Sequence, residues 1–438
     1  MSIKSKSSKL SPFNYQLSII NFQLSIVLTS LSIFDYILLG LLLVAFLAQL
    51  YFYLRYLLAP ARQLRKTSNI THQTSNIETP GVSILLCAHN ESDNLSQYLQ
   101  ALLTQDYPEY EVIVVDDGSE DNTRQIIEAY MARDKRLHMT FVPYGARVGS
   151  TKKLALTLAA KAAKYDYFLL TDADCVPESD HWISEMMRGF ERQQPIANSQ
   201  QPIEIVLGFG AYFHTKGHIN RLIRFDTLFN GLHYLGAALC GHPYMGVGRN
   251  LAYRKSLFFE SGGFTHLMTS KAGDDDLFVN HVATPANTAV VLSRDSYTWS
   301  PAKRTFKEWW QQKRRHLSVS PAYRPETKFR LALEPLTRGL FYAAWLFAMW
   351  AYWPFQCPLS IVNCQLSIIN CQLSIINYQF LIALGLFLLR WILQAVVINL
   401  SARRMGLSRF PMISILWFDI ALPLVNLWML LIPKKYKW

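Results

Sequence analysis

Four runs of apolar residues constrain this chain more than any other feature. Residues 34–58, 336–355, 380–400 and 412–432 are almost free of charge, and each is close to or above the ~20 residues an α-helix needs to cross a bilayer. The first is too long for the apolar core of a signal peptide. Composition agrees: 51% of the residues are apolar and 17% charged, against about a quarter charged in ordinary soluble domains. The formal net charge of +12 gathers beside these runs, at Arg55, Arg62, Arg65 and Lys66 and again at Arg403, Arg404 and Arg409. Positive charge flanking apolar helices marks the cytoplasmic side, so the segment beyond residue 66 is expected in the cytoplasm. Nucleic-acid binding would need a basic face with base-reading or stacking elements, and cations placed at membrane boundaries argue against it. Lys434, Lys435 and Lys437 fit the rule less well. With Pro411 before it and Pro423 within it, the 412–432 run is therefore expected as a span or a re-entrant helix.

Two low-complexity segments stand apart. Residues 14–27 and 363–376 are tandem heptads of the form Asn-x-Gln-Leu-Ser-Ile-x, too few copies for a solenoid and read as incidental expansions in an N-terminal tail (1–33) and a membrane loop (356–379). The six cysteines form no CxxC pair or zinc spacing and are expected as reduced thiols. Cys87 and Cys175 sit in apolar stretches, as small buried hydrophobes do.

After a polar linker at 67–79 the pattern changes. Short apolar runs, Val82–Ala88, Glu111–Asp117 and Tyr167–Asp174, alternate with helical periodicity, the sign of an α/β domain with a mostly parallel sheet. Leu95, Tyr98, Leu99 and Leu102 recur on one helical face that Asn90 or Ser92 could cap. Ile126, Ile127, Tyr130 and Met131 repeat the spacing, and Ile219–Cys240 reads as a further amphipathic helix. This domain is expected to span residues 80–320.

Open α/β sheets bind ligands beyond the carboxyl ends of their strands, and here those ends are acidic. The first strand runs into Asn90 and Glu91, the second into Asp116 and Asp117, the third into Asp172-Ala173-Asp174. An Asp-x-Asp offers oxygen ligands for Mg²⁺ or Mn²⁺, which are commonly held by one or two carboxylates plus substrate phosphates. A departing diphosphate needs such a cation and nearby positive side chains; Lys152, Lys153 and Arg315 could supply them. Gly273-Asp274-Asp275-Asp276 places three carboxylates at a helix start, more than capping requires. Just upstream, Gly246-Val247-Gly248-Arg249-Asn250 and Gly262-Gly263-Phe264 supply a glycine-rich turn region able to bring backbone close to a ligand. Trp309 to His316 reads as an interfacial amphipathic helix.

In this order, the motifs between about Pro80 and Ser320 resemble the inverting family 2 glycosyltransferases of the A-type (GT-A) fold. The flanking spans fit their membrane-bound branch, which includes cellulose and hyaluronan synthases and ceramide glucosyltransferase. The resemblance implies a nucleotide-diphosphate sugar donor, a lipid or glycan acceptor, Mg²⁺ or Mn²⁺, and work in cell-envelope glycan synthesis at a bacterial inner membrane with the catalytic domain cytoplasmic. It implies that Asp116 or Asp117 contacts the nucleotide and that Asp172 and Asp174 hold the metal and ribose, with Asp174 the preferred metal ligand. Asp274 aligns with the general base of the family's Glu-Asp motif, with Gly273 in place of the Glu and Asp275 as the alternative. Like-charge repulsion from Asp275 and Asp276 is expected to raise the proton affinity of Asp274. Gln312, Arg315 and His316 look like the family's Gln-x-x-Arg-Trp, with His in place of the Trp that helps seat the acceptor in processive synthases; this points away from long polymers. A processive polysaccharide synthase and a non-catalytic membrane scaffold are the alternatives.

Overall fold

The structure, a computed structural model, describes residues 32–67, 79–143, 150–191, 201–268, 272–353 and 378–431. Both heptad tandems, most of the linker and the C-terminal lysines lie outside them. The strands are β1 (Val82–Ala88), β2 (Tyr110–Asp116), β3 (Leu137–Phe141), β4 (Tyr167–Leu170), β5 (Val176–Pro177), β6 (Ile205–Leu207), β7 (Gly210–Tyr212), β8 (Leu251–Arg254), β9 (Thr288–Val290) and β10 (Thr298–Ser300). The α-helices are α1 (Ile33–Phe52), α2 (Ala59–Thr67), α3 (Ser92–Leu103), α4 (Thr123–Met131), α5 (Thr151–Ala162), α6 (Trp182–Glu191), α7 (His218–Leu239), α8 (Lys255–Glu260), α9 (Asp276–Val282), α10 (Phe306–Leu317), α11 (Pro325–Ala351), α12 (Tyr378–Arg404) and α13 (Met412–Leu431). They divide into two compact units: residues up to Tyr51 with Leu333–Leu393, and Phe52–Ala332 with the residues from Gln394 onward.

The second unit holds a seven-stranded sheet in the order β3-β2-β1-β4-β8-β6-β9. β3, β2, β1 and β4 are mutually parallel, β8 runs antiparallel to both neighbours, and β6 pairs β9 in parallel. Each central strand is buried on both faces, as βαβ crossovers require. On one face Val112, Val114, Ile84 and Leu86 pack with Leu95 and Leu99 of α3 and Trp182 and Met186 of α6. On the other, Leu85, Ile113 and Val115 pack with Ala155 and Ala159 of α5 and with Leu228 and Leu232 of α7. A small sheet, β5-β10-β7, stands beside it.

Three local expectations need correction. The strand expected to end at Asp174 stops at Leu170, because the polar Asp-x-Asp segment leaves the buried ladder: Thr171 makes one more bond, to Leu85 O (3.3 Å), and Cys175 N then closes a turn on Asp172 O (3.0 Å). The strand expected at 111–117 is shifted one residue earlier, to Tyr110–Asp116. Neither Asn90 nor Ser92 caps α3. Asn90 takes a left-handed conformation (φ 56°) and Ser92 lies inside the helix. The orphan N–H groups of a helix start are met from the following loop instead, Glu91 N by Thr123 Oγ1 (2.8 Å) and Ser92 N by Asp121 Oδ2 (3.1 Å).

The core of this unit outgrows the expected 80–320. Tyr53 and Leu57 join it from before, and Ile398, Phe410, Ile415 and Phe418 from after; Ser401 Oγ donates to Leu57 O (3.0 Å). The first unit is an apolar helix packing of Leu38, Leu42 and Phe46 with Phe341, Ala344 and Ala348. Its polar contacts lie inside. Gln49 Nε2 donates to Thr337 Oγ1 (2.8 Å) and Arg390 to Tyr342 OH (3.1 Å), the interhelical bonding that stands in for hydrophobic drive in lipid. Among the described residues three helices are long and apolar enough to cross a membrane: Ile33–Arg65, Tyr378–Arg404 and Met412–Leu431. The run expected at 336–355 falls in α11, which is not among them and carries the Glu334–Arg338 ion pair.

Close approach of α7 to the π-helical turn Tyr53–Leu57 requires a glycine. A Cβ on Gly236 would lie 2.1 Å from the Tyr56 carbonyl oxygen, a backbone atom, whereas one on Gly385 in α12 meets nothing within 4 Å. Gly236→Ala is therefore expected to destabilise the detergent-solubilised protein by about 1–3 kcal/mol despite the better helix propensity of Ala. Gly385→Ala should be neutral or slightly stabilising, and thermal melts of the two variants check both.

Candidate active site

Because β2, β1 and β4 are adjacent and parallel, their carboxyl ends open on one edge of the sheet. After β1, Asn90 N is bonded by Ser119 Oγ (3.0 Å), and Asn90 Oδ1 accepts from Glu120 N (2.8 Å), tying this loop to the one after β2. Asp116, buried, accepts from Ser119 N through Oδ1 (3.0 Å), and Asp117 N donates to Ala88 O (2.8 Å). Glu91 lies close enough to Asp174 and Lys303 to feel both charges. Burial first, then Asp174, raises its carboxyl above the usual range, against the pull of Asn94 and Lys303.

After β4, donor atoms of Asp172, Asp174 and Cys175 lie within 4.8 Å of one another. Cys175 Sγ donates to Asp174 Oδ1 (3.4 Å). Burial, then the two carboxylates, pushes the Cys175 thiol well above its usual range, and a thiolate would in any case be a soft ligand, ill matched to a hard cation. The carboxylates remain. Burial and the charge of Asp172 raise Asp174, with Arg249 acting against them.

α5 brings the cation. Its start is capped by Ser150, whose Oγ accepts from Lys153 N (3.4 Å), and this directs Lys152 Nζ to Asp172 Oδ1 (2.9 Å) and Asp274 Oδ2 (3.1 Å) at once. Protein surrounds the Lys152 ammonium although 40% of the side chain stays open to solvent. Lys153 turns inward and donates to Leu267 O and Ala272 O, both at 2.7 Å.

The three acids at α9 have separate environments. Gly273 has φ 92°, and a Cβ there would meet Leu277 Cδ1 at 2.5 Å, so the turn excludes the family's Glu on conformational grounds. Asp275 caps α9, accepting from Asp276 N (2.8 Å) and Gly248 N (2.7 Å). Asp276 is buried and accepts from Tyr323 OH (2.9 Å). The expected rise in the proton affinity of Asp274 is overturned. Burial alone would raise it, but the Lys152 ammonium at 3.1 Å, with a backbone hydrogen bond and Lys153 behind it, lowers it. The rise appears in its neighbours: burial and Asp274 push Asp275 up to about 6, and burial and Asp275 push Asp276 up to about 8.

α10 closes the arrangement, its start held by a Thr305–Glu308 capping box. Gln312 Nε2 donates to Tyr212 OH (3.2 Å). His316 is exposed; crowding by neighbouring groups, then the charges of Arg315 and Arg249, lowers its imidazole, an effect that contact with solvent weakens. Sequence reasoning missed Arg249 and Tyr212. The Arg249 guanidinium donates to Ser300 Oγ (2.8 Å) and Gly210 O (3.1 Å) and lies 4.3 Å from the Tyr212 ring centroid, joining the small sheet to the Asp172–Asp174 end. The only signal was a cation closing a glycine-rich turn.

A carboxyl raised on folding contributes stability that is complete below its unfolded value and is lost as pH climbs through its folded value. For Asp276 that window runs from the ordinary carboxyl value of 3.8 to about 8. The wild-type melting temperature is expected to fall between pH 5 and pH 8, and Asp276→Asn, which stays neutral and can still accept from Tyr323, should flatten that fall. Parallel slopes for the two proteins would remove the assignment.

The family profile Glycosyl transferase family 2 matches residues 83–258. A poly-beta-1,6-N-acetyl-D-glucosamine synthase of Staphylococcus epidermidis is 37% identical over 103 residues, 24% of each chain. The enzyme of that name from Staphylococcus aureus (strain MSSA476) is 31% identical over 119 residues, 27% of this chain and 28% of its own. The aligned region thus spans about a quarter of the length of these curated relatives. Among solved structures, the mannosyltransferase PcManGT from Pyrobaculum calidifontis, in complex with GDP-Man and Mn²⁺, aligns with a TM-score of 0.50 at 18% identity, covering 85% of this chain and 98% of that one. That likeness speaks for the fold. The profile match makes residues 83–258 of this chain a glycosyl transferase family 2 domain, and the structural likeness gives its fold as GT-A type.

Proposed function

We propose that this protein is a membrane-bound, inverting glycosyltransferase that moves a sugar from a nucleotide-diphosphate donor to a lipid or glycan acceptor in cell-envelope glycan synthesis. The observation that carries the reading is the bridge of Lys152 between Asp172, at the Asp-x-Asp, and Asp274, at the start of α9. A cation-binding pair and a candidate base are thereby held within one side chain's reach of each other, as transfer from a diphosphate to a hydroxyl requires. The relatives named as polysaccharide synthases and the neighbour holding GDP-Man and Mn²⁺ support the same reading.

Asp174 and Asp172 would hold Mg²⁺ or Mn²⁺, hard cations suited to two carboxylates with substrate phosphates completing the shell; the repulsion that raises Asp174 is what such an ion relieves. Bound there, the cation would stabilise charge on the departing diphosphate. Asn90, Glu91, Asp116 and Asp117 would line the nucleotide side, and Gln312, Arg315 and His316 the acceptor side. Asp274 would take the acceptor proton at its carboxylate. Lys152 weakens that base while paired with it, and a bound diphosphate would offer Lys152 an anionic partner in place of Asp274, freeing that carboxylate when the donor is in place. Long-polymer synthesis is the second reading, favoured by the relatives' names; product length under excess donor distinguishes it.

A screen of nucleotide sugars for nucleotide release by purified protein, with Mg²⁺ or Mn²⁺, tests the reading. Asp174→Ala should abolish turnover and the divalent requirement, whereas Cys175→Ser should keep most activity. Asp274→Asn should lose at least about a hundredfold in turnover while still binding nucleotide, with Asp275→Asn milder; the reverse order would make Asp275 the base. For topology, cysteines introduced in residues 80–320 should resist a membrane-impermeant thiol reagent in intact cells. Labelling there would place the domain on the other side.

A further inference from the structure

α10 carries Gln312, Arg315 and His316, yet only two of its side chains, Trp309 and Lys313, are buried. They stand four residues apart, on one stripe of the helix. Trp309 enters the core of the second unit. Lys313 reaches a carboxylate: its Nζ lies 2.6 Å from both Oδ1 and Oδ2 of Asp226 on α7, and the two side chains keep only 8% and 13% of their surface. The acceptor of this pair is itself fixed. Asn230 Nδ2 donates to Asp226 Oδ1 (3.3 Å), and the neighbouring Phe225 packs against Phe410 and Phe418, with centroids 5.4 and 5.0 Å away. A leucine at 313 would bury comparable surface without setting a direction, because apolar contact is non-directional. A lysine held by both oxygens of one carboxylate fixes the rotation of the helix about its axis. Each residue of helix turns about 100°, so a slip of one position would swing Arg315 and His316 to another face.

We propose that Lys313 and Asp226 are a positioning pair that sets the rotation of α10 and so aims Gln312, Arg315 and His316 at the reacting groups. The proposal rests on the glycosyl-transfer reading. The pair acts through those three residues and does not touch substrate.

The test uses the full-length protein in detergent and separates direction from stability. Lys313→Met leaves a buried carboxylate unpaired and is expected to destabilise, since breaking a buried pair is costly. The double variant Lys313→Met with Asp226→Leu removes both charges, and such replacements are commonly neutral for stability. It should therefore melt near wild type and yet turn over about tenfold to a hundredfold more slowly, the scale of loss from misplaced catalytic groups. Its affinity for UDP or GDP with Mn²⁺, whichever the wild type binds, should stay within about twofold. Lys313→Arg should recover most of the turnover, and amide exchange of the double variant should rise in residues 306–317 and not in 151–162. Wild-type turnover in a stable double variant overturns the proposal. So does a loss of nucleotide affinity as large as the loss of turnover, which would make the pair general support of the fold. Should the wild type transfer no sugar at all, the functional reading fails by itself; local exchange then decides the pair, and an unchanged 306–317 segment overturns it.

Discussion

Mutual repulsion among the carboxylates at one end of the sheet is the constraint on which the rest of the site depends. Asp172, Asp174, Asp274, Asp275 and Asp276 reach that end from two chain segments, and each is handled differently. Lys152 spans Asp172 and Asp274. Asp275 spends its oxygens on backbone N–H groups. Asp276 is buried beside Tyr323 and raised toward neutrality. Asp174 has the Cys175 thiol and the field of Arg249. Like charges brought this close are costly unless paired or protonated, so five carboxyls together make sense around something positive. Lys152 answers two of them directly, and the Asp172–Asp174 pair is where the proposed divalent ion would sit.

Three of the seven strands of the large sheet, β1, β2 and β4, were legible in the sequence because they are largely buried on both faces and read as continuous apolar runs. Val82–Ala88 matched to the residue. Where polar residues follow an apolar run, the boundary was lost: Thr171–Asp174 looks like strand and is turn. β8 and the small sheet were illegible for a different reason. Strands of two to four residues carry too few positions to show a period, and their pairing is set by partners far off in the chain, such as Leu170 with Leu251 and Trp299 with Val176.

The acid motifs could be found from sequence, but their electrostatics could not. Reading Asp274-Asp275-Asp276 as a run predicts repulsion, which is right for the two later members. It is wrong for Asp274, because the deciding partner, Lys152, lies far off in the chain and arrives through a capped helix start. The α3 cap was misassigned in the same way: Asp121 and Thr123, from the far side of β2, serve the donors that a local reading assigns to Asn90 or Ser92.

The two departures from the family pattern have different physical weight. At Gly273 the backbone is left-handed and the neighbouring Leu277 fills the space a side chain would need, so the missing Glu reflects the shape of this turn and leaves Asp274 in place beside Lys152. At His316 the backbone is ordinary helix, and the change is chemical: an imidazole, when neutral, can both donate and accept hydrogen bonds where an indole could only donate, and it offers a smaller face for stacking. A scaffold without chemistry would have no use for several buried carboxylates, which cost stability, nor for a helix held by a buried ion pair that keeps such a group at the site. The reacting end is therefore expected to differ from that of the processive synthases on the acceptor side, where His316 stands, and to resemble them on the donor side, where Asp172, Asp174 and Lys152 meet.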